Sequence, residues 1–564
     1  MKNNQGESEE KENHPMNNFK HSKYFIFLLI CFATVPSAYA QRDTTKKAQT
    51  VEITSAYRPV LRNSAKINLS SSPLIADTSR PRMAYDIPAQ NLFFTYQPIP
   101  LKPLSLQQDT ALDLGIRNYL KAGYGNLNTP YIKGSFSFGD GKMNLVNINA
   151  EYISSKGPIT FQNFSEVNIK GRGSYFTKLN EVYAGVGFSQ HEYYQYGYDH
   201  ALYMNRSKES LRRRYQDIAI NAGFRNTSVN SLDVNYNPSV TAHIFSRESA
   251  VTESSLLADV PIEKKFSESV SLKLDASADL TSYTNKVFSS NGKEINNLYQ
   301  LAPELVYYSD KFTFHGGVSP TWDNGQLSVL PNIYGEAQLQ HNILMVQVGW
   351  VGRFTKNTFR SLSNENPYMQ DPTGLLNTKE VEYYGGVKAT VGKHFSFNAK
   401  VSYISLKNLP LFVNDTLDGK SFLIRNESQV SDLRIHGDMN LVSQDKFTLT
   451  AAADINTYTL FTDNNNAWHK IPVQLTGSFR WNAFRQVLLK ADLFTFSNIP
   501  YVLKNNAEYK LPRGTDLSAG AEFKITPKFS AWLDLNNILN SKYQRWNNYP
   551  VYGLNVIGGL IMRF

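Results

Sequence analysis

Phe395-Ser396-Phe397-Asn398-Ala399-Lys400-Val401-Ser402-Tyr403 decides the fold, because apolar and polar residues alternate along it without a break. Successive side chains of a β-strand point to opposite faces, so this run has one apolar face and one carrying Ser, Asn and Lys. The same period of two recurs from Val270 to Ala276, from Phe447 to Ile455 and from Phe529 to Leu535. Helical stripes of period 3.6 are hard to find beyond residue 113. A soluble sandwich would also alternate. The segments, however, run roughly 9 to 15 residues, the length a tilted strand needs to cross a bilayer. Their polar faces carry Lys, Asp, Asn or Ser nearly everywhere, as a wet lumen requires when the other face meets lipid.

Short connections that end in a basic residue, then Phe and Ser or Thr, punctuate these strands. They stand at Lys265-Phe266-Ser267, Lys311-Phe312-Thr313, His394-Phe395-Ser396, Lys446-Phe447-Thr448 and Lys528-Phe529-Ser530, with Gly141-Lys142-Met143 a looser relative. Their spacings are near multiples of about 43 residues, which fits two strands, a short turn and a long loop per unit. The expectation is an all-β transmembrane antiparallel barrel of about 22 strands, within a range of 18 to 22, over residues 113–564. Segments 155–164, 190–212, 284–295, 356–377, 407–427, 460–468, 497–512 and 540–550 have the Asn, Asp, Gly, Ser and Tyr content of solvated loops.

The chain ends on apolar Tyr552, Leu554, Val556, Leu560, Met562 and Phe564, alternating over most of that run. This pattern is similar to the C-terminal signal read by the outer-membrane assembly machinery.

Composition agrees with these readings. Of 564 residues 41% are hydrophobic and 72 are aromatic, too many for a disordered chain, and a single Cys excludes a disulfide scaffold. Lys20 and Lys23 precede the apolar run Tyr24 to Val35, and Ala38-Tyr39-Ala40 gives a small-x-small cleavage site. Residues 1–40 therefore read as a signal peptide for export, with Met16 a plausible start that would shorten it. Bulky Ile30 before Cys31 argues against a lipoprotein signal. Removing residues 1–40 leaves the net charge of +10 unchanged, since it takes four Lys and four Glu. In an exported barrel that charge does not call for nucleic acid.

Residues 41–112 differ in kind. They hold Pro59, Pro73, Pro81, Pro88, Pro98, Pro100 and Pro103, and Gly115 is the first glycine after the signal peptide. Without residues that supply positive φ at tight turns, an extended or polyproline segment is expected rather than a compact domain. Its apolar residues, including Leu92, Phe93, Phe94, Tyr96 and Ile99, would need the periplasmic mouth or lumen wall as a partner surface.

Asn537-Ile538-Leu539-Asn540-Ser541-Lys542-Tyr543-Gln544-Arg545-Trp546, then Tyr549-Pro550 and the terminal strand, resembles the last hairpin of TonB-dependent receptors. Ala56-Tyr57-Arg58-Pro59-Val60 and the run from Ile87 to Phe94 are similar to plug-poor receptor-like barrels of the Bacteroidota. The resemblance implies a 22-stranded barrel, a globular N-terminal plug and a TonB-contacting segment. This sequence departs on the plug, because residues 41–112 are too few and too poor in glycine. Thr50-Val51-Glu52-Ile53-Thr54 resembles the TonB box, which would pair with TonB as an added strand; a chance run in a β-rich chain is the plain alternative.

Other constellations have bland readings beside sharp ones. His191, Glu192, Asp199 and His200 could ligate a metal but fit a surface loop better. Tyr193, Tyr194, Tyr196, Tyr198 and Tyr203 could stack on a planar or sugar ligand, or simply pack the loop. Arg212, Arg213 and Arg214 could grip lipopolysaccharide phosphates or lie as a solvated run above the membrane. No Ser/His or Asp/His catalytic set is identifiable, so neither an enzyme nor a cofactor is expected. Two roles remain: solute passage through the outer membrane, or a non-transporting scaffold or plug subunit within a larger envelope assembly, with a separate lipoprotein as a conceivable cap.

Overall fold

The computed structural model describes residues 118–564, apart from 229, 249, 287–291, 341–342, 393, 444–445 and 504–505. The expected signal peptide, the Pro-rich segment 41–112 and Thr50 to Thr54 lie outside the described residues.

Alternation produces a closed antiparallel barrel, each strand bonded to the next in sequence. The first strand, Tyr119–Gly125, pairs with the second, Thr129–Gly139, and also with the last, Asn555–Arg563, in register from Tyr119↔Arg563 to Gly125↔Ile557. Twenty-two strands make the ring, and Val234–Tyr236 is a short forerunner of the seventh, Ser239–Arg247, interrupted at Asn237-Pro238. Proline cannot donate to a ladder, which accounts for the break. Closure leaves no unpaired edge, so every strand finds a partner on both sides.

The two faces follow the period of two. Outward side chains include Ile132, Val186, Ile220, Ile244, Val329, Val348, Val401, Leu533 and Leu560, all substantially exposed. Inward side chains are charged and paired, mostly across strands. Lys400 and Arg353 share Glu382, Arg434 meets Asp432, Arg480 meets Asp492, and Lys490 and Lys121 flank Asp534. An apolar outside around a charged inside is the inverse of a water-soluble protein and the pattern of a barrel whose outer solvent is hydrocarbon. Among the described residues no helix is long and apolar enough to cross a membrane, which says nothing against a strand-built span.

The basic-Phe turns lie at one end of the barrel, where the two ends of the described chain, Asn118 and Phe564, also lie. Their geometry is tight: the Asp140 carboxylate accepts from the backbone N–H of Lys142, Met143 and Asn144. The opposite end carries the long loops, with strands reaching further into several than expected. The proposed loop 407–427 is mostly ladder, because Phe395–Asn414 and Phe422–Ser443 stay paired as far as Asn414↔Phe422 and leave only residues 415–421 unpaired. Composition marks solvated residues, but backbone pairing continues beyond the apolar belt wherever neighbouring strands supply partners. The segment 356–377 is the longest of the connections that contains no strand, and it holds a helix, Phe359–Glu365. Thr358 caps this helix in a capping box with Ser361.

Candidate functional site

The long-loop end is filled by its own connections. Phe359, Leu362, Tyr368 and Met369 of segment 356–377 are buried in one cluster with Tyr193, Tyr196, Tyr215, Phe245, Tyr283, Phe422, Trp546, Tyr549 and Tyr552. These residues come from strands and loops spread around the ring, so the apolar mass sits within the mouth rather than on one wall. Tyr368 and Tyr549 stack with ring centroids 3.6 Å apart, and Tyr196 meets both edge-on. Gly197 permits the approach, since a Cβ there would lie 2.3 Å from the Tyr549 ring. Burial drives the hydroxyls of Tyr196, Tyr368, Tyr549 and Tyr552 above the usual tyrosine range.

Segment 356–377 is held from two sides. Glu253, on the eighth strand Val251–Lys265, accepts from the backbone N–H of Phe359 at 2.5 Å and of Arg360 at 3.3 Å. A carboxylate at these free amides also complements the helix terminus. Arg247 clasps Asp371 through both guanidinium arms, at 2.7 and 2.9 Å. Burial nevertheless keeps the Asp371 carboxyl above its ordinary value. Tyr215 and Tyr283 donate to the carbonyls of Pro367 and Pro372. On the far side Lys470 pairs with Glu365 at 2.8 Å, and the Gln370 side chain donates to Ser421 Oγ.

Next to that far anchor lies a buried aromatic box. His469 stacks on Trp546, meets Phe422 edge-on and donates from Nδ1 to the Phe412 carbonyl at 2.7 Å. Burial lowers its pKa to about 3, so the ring is neutral. Arg545 lies over Trp546 and donates to the His469 carbonyl at 2.8 Å; burial pulls its pKa down to about 10.

The structure separates the groups that sequence reading had put together. Tyr193 and Tyr194, adjacent at the end of a strand, face opposite sides of the wall: Tyr193 donates to Glu166 and Tyr194 to Glu192. Tyr196 donates to the Pro550 carbonyl, while Tyr198 stacks on His200 at 4.3 Å. All four rings are buried against protein neighbours. The arginine triplet divides likewise, because the sixth strand starts at Arg212 and alternation applies from there. Arg212 and Arg214 pair with Glu248 and Glu192, whereas Arg213 lies near Tyr215, Arg247 and Asp371. Asp199 caps the turn at Ala201 and Leu202, and His200 bonds the Tyr196 carbonyl. Among the described residues no three His, Cys, Asp or Glu come together as a metal site. Of the C-terminal residues, Leu554, Leu560, Met562 and Phe564 are exposed, Val556 is half-buried, and Tyr552 is buried in the mouth, donating to the Gln162 carbonyl. Sequence reasoning missed Arg247, Glu253, Glu365, Asp371 and Lys470; no local motif marks them, since their partners lie more than a hundred residues away.

No protein-family model matches the chain, and no curated protein matches it. Solved structures do. The chain is similar to the FrpB iron transporter from Neisseria meningitidis, with a TM-score of 0.61 and 10% identity over 79% of this chain and 81% of that one. It is similar to the siderophore receptor PirA from Acinetobacter baumannii, with a TM-score of 0.61 and 9% identity over 79% and 80%. A mutant of the ferric enterobactin receptor PfeA from Pseudomonas aeruginosa gives a TM-score of 0.58 and 9% identity over 79% and 80%. At this identity the likeness establishes the fold, the closed antiparallel barrel of 22 strands.

Proposed function

We propose that the protein is an outer-membrane barrel, similar to TonB-dependent receptors, that mediates passage of a solute across the outer membrane. The observation that carries this reading is the inverted wall: apolar side chains outside, cross-paired charges inside, around a ring of 22 strands wide enough to enclose a lumen. The shared fold with an iron transporter and siderophore receptors supports it. In this reading residues 1–40 direct export, the C-terminal strand is read by the assembly machinery, and residues 41–112 obstruct the periplasmic mouth in place of a full plug. Thr50 to Thr54 would pair with TonB as an added strand. The long-loop end would face the cell exterior, where Arg212 and Arg214 would meet lipopolysaccharide phosphates.

Ion flux through the purified protein in planar bilayers tests passage, and lack of flux from a barrel freed of residues 41–112 and of its inward loop would discard it. Uptake that survives deletion of Thr50 to Thr54 would remove the TonB-coupled version. One observation favours a second reading, the filling of the mouth by the protein's own loops. A scaffold or plug subunit needs no open path. It would remain silent in bilayers and co-purify from outer membranes with a fixed partner, such as a lipoprotein.

A further inference from the structure

Segment 356–377 joins neighbouring strands, Leu344–Thr355 and Thr378–Val391. A hairpin turn would suffice there, as Asn324-Gly325 shows by joining Phe312–Asp323 to Gln326–Gln340 with two residues of positive φ. The segment instead folds into the mouth and is fastened at two places. Arg247, holding Asp371, ends the seventh strand; Lys470, holding Glu365, stands just before the eighteenth, Val473–Phe484. Seven and eighteen are eleven places apart in a ring of 22, which is half the circle.

We propose that segment 356–377 is a gate for the lumen, latched across the mouth by the Asp371–Arg247 and Glu365–Lys470 ion pairs, and that passage requires it to swing out of the ring. This rests on the solute-passage reading. The barrel wall is a backbone ladder, whereas the strap is fastened mainly through side chains. Its backbone tie to the wall is a bridge to Phe422, where the Gln370 N–H donates to the Phe422 carbonyl at 2.8 Å and the Phe422 N–H to the Tyr368 carbonyl at 3.3 Å, so the strap can leave without breaking the pairing between ring strands. Its closed seat is also incompletely satisfied. Arg360 Nε and Asn366 Nδ2 are buried with no hydrogen-bond partner among the described residues. Groups of this kind favour a second arrangement in which they find partners. Ion pairs suit a reversible latch, because opening returns both charged partners to water.

The test uses the full mature chain in planar bilayers, with and without residues 41–112. In each background the strap is left intact, unlatched by the double substitution Glu365→Gln and Asp371→Asn, or replaced by an Asn-Gly turn. Folding of every variant is checked by its heat-modifiable migration in SDS. The unlatched double variant should conduct at least tenfold more often than the intact strap, and strap replacement should give a persistently open channel in at least one background. If strap replacement raises conductance in neither background, the gate is overturned. Full conductance after removal of residues 41–112 alone leaves passage standing without a gate; silence of the barrel lacking both obstructions removes passage as well.

Discussion

Alanine at Gly559 should open the seam where the ring closes. A Cβ built there lies 1.9 Å from the Ala122 carbonyl oxygen and 2.5 Å from the Gly123 Cα, and real Cβ atoms do not come within 3.0 Å. Both obstacles are backbone, so no side-chain rotation relieves them, and the strands must part by about 1.1 Å. That displacement stretches neighbouring hydrogen bonds from about 2.9 Å to about 4 Å, where they cease to count. With two to four bonds lost at about 1 kcal/mol each, the cost is roughly 2–4 kcal/mol in water. It is larger in hydrocarbon, which offers no replacement partner. The next residue supplies the control, because a Cβ at Gly558 would first meet Leu533 Cδ1 at an ordinary 3.4 Å. The assay is the temperature at which the folded band disappears in unheated-versus-heated electrophoresis. Gly559→Ala should lower it by several degrees or prevent folding, with Gly558→Ala near the parent. Equal behaviour of the two would refute the close-approach argument.

Three other perturbations follow from the structure. Asp534→Ala strips Lys121 and Lys490 of the carboxylate they share, 3.6 and 2.9 Å away, and should destabilise the barrel by about 3–5 kcal/mol, read as the same thermal midpoint; an unchanged midpoint would count against it. His469 has a folded pKa near 3 against about 6.5 unfolded, so the unfolded loop binds the extra proton. Stability of the aromatic box is therefore complete above about pH 6.5 and falls steadily towards pH 3, which should appear as rising protease cleavage of the long loops and vanish in His469→Phe. Substituting Arg212 and Arg214 together by Ala should lower the lipopolysaccharide that co-purifies with the barrel, while Arg213→Ala, an inward change beside Arg247, should leave it unaltered.

Strand number and facing were legible in the sequence because both depend on local rules. A period of two sets the face, and a basic-Phe turn at about 43-residue intervals sets the count. The mouth was not legible. Tyr193, Tyr196 and Tyr198 were visible as an aromatic run, but Tyr198 packs locally on His200, while Tyr368, Tyr549 and Pro550, the partners of Tyr193 and Tyr196, come from connections about 170 to 350 residues away. The division of Arg212, Arg213 and Arg214 could have been read from alternation, had the sixth strand been expected to start at Arg212 rather than after it. Nothing in the composition of 356–377 distinguishes a loop that folds inward from one that points into solvent. That outcome depends on Glu253 and Arg247 in one wall and Lys470 before another.

Asn118 and Phe564 exchange backbone hydrogen bonds in both directions, at 3.3 and 3.0 Å, so the two ends of the described chain lie side by side. The circle consequently has no geometric beginning. In the barrel without residues 1–117, a linker of a few residues across that junction, with the polypeptide cut instead at any of the tight turns beside it, would give a circular permutant with all the ring pairings preserved. Which stave is made first is then a matter of gene order, and the finished cylinder keeps no trace of it.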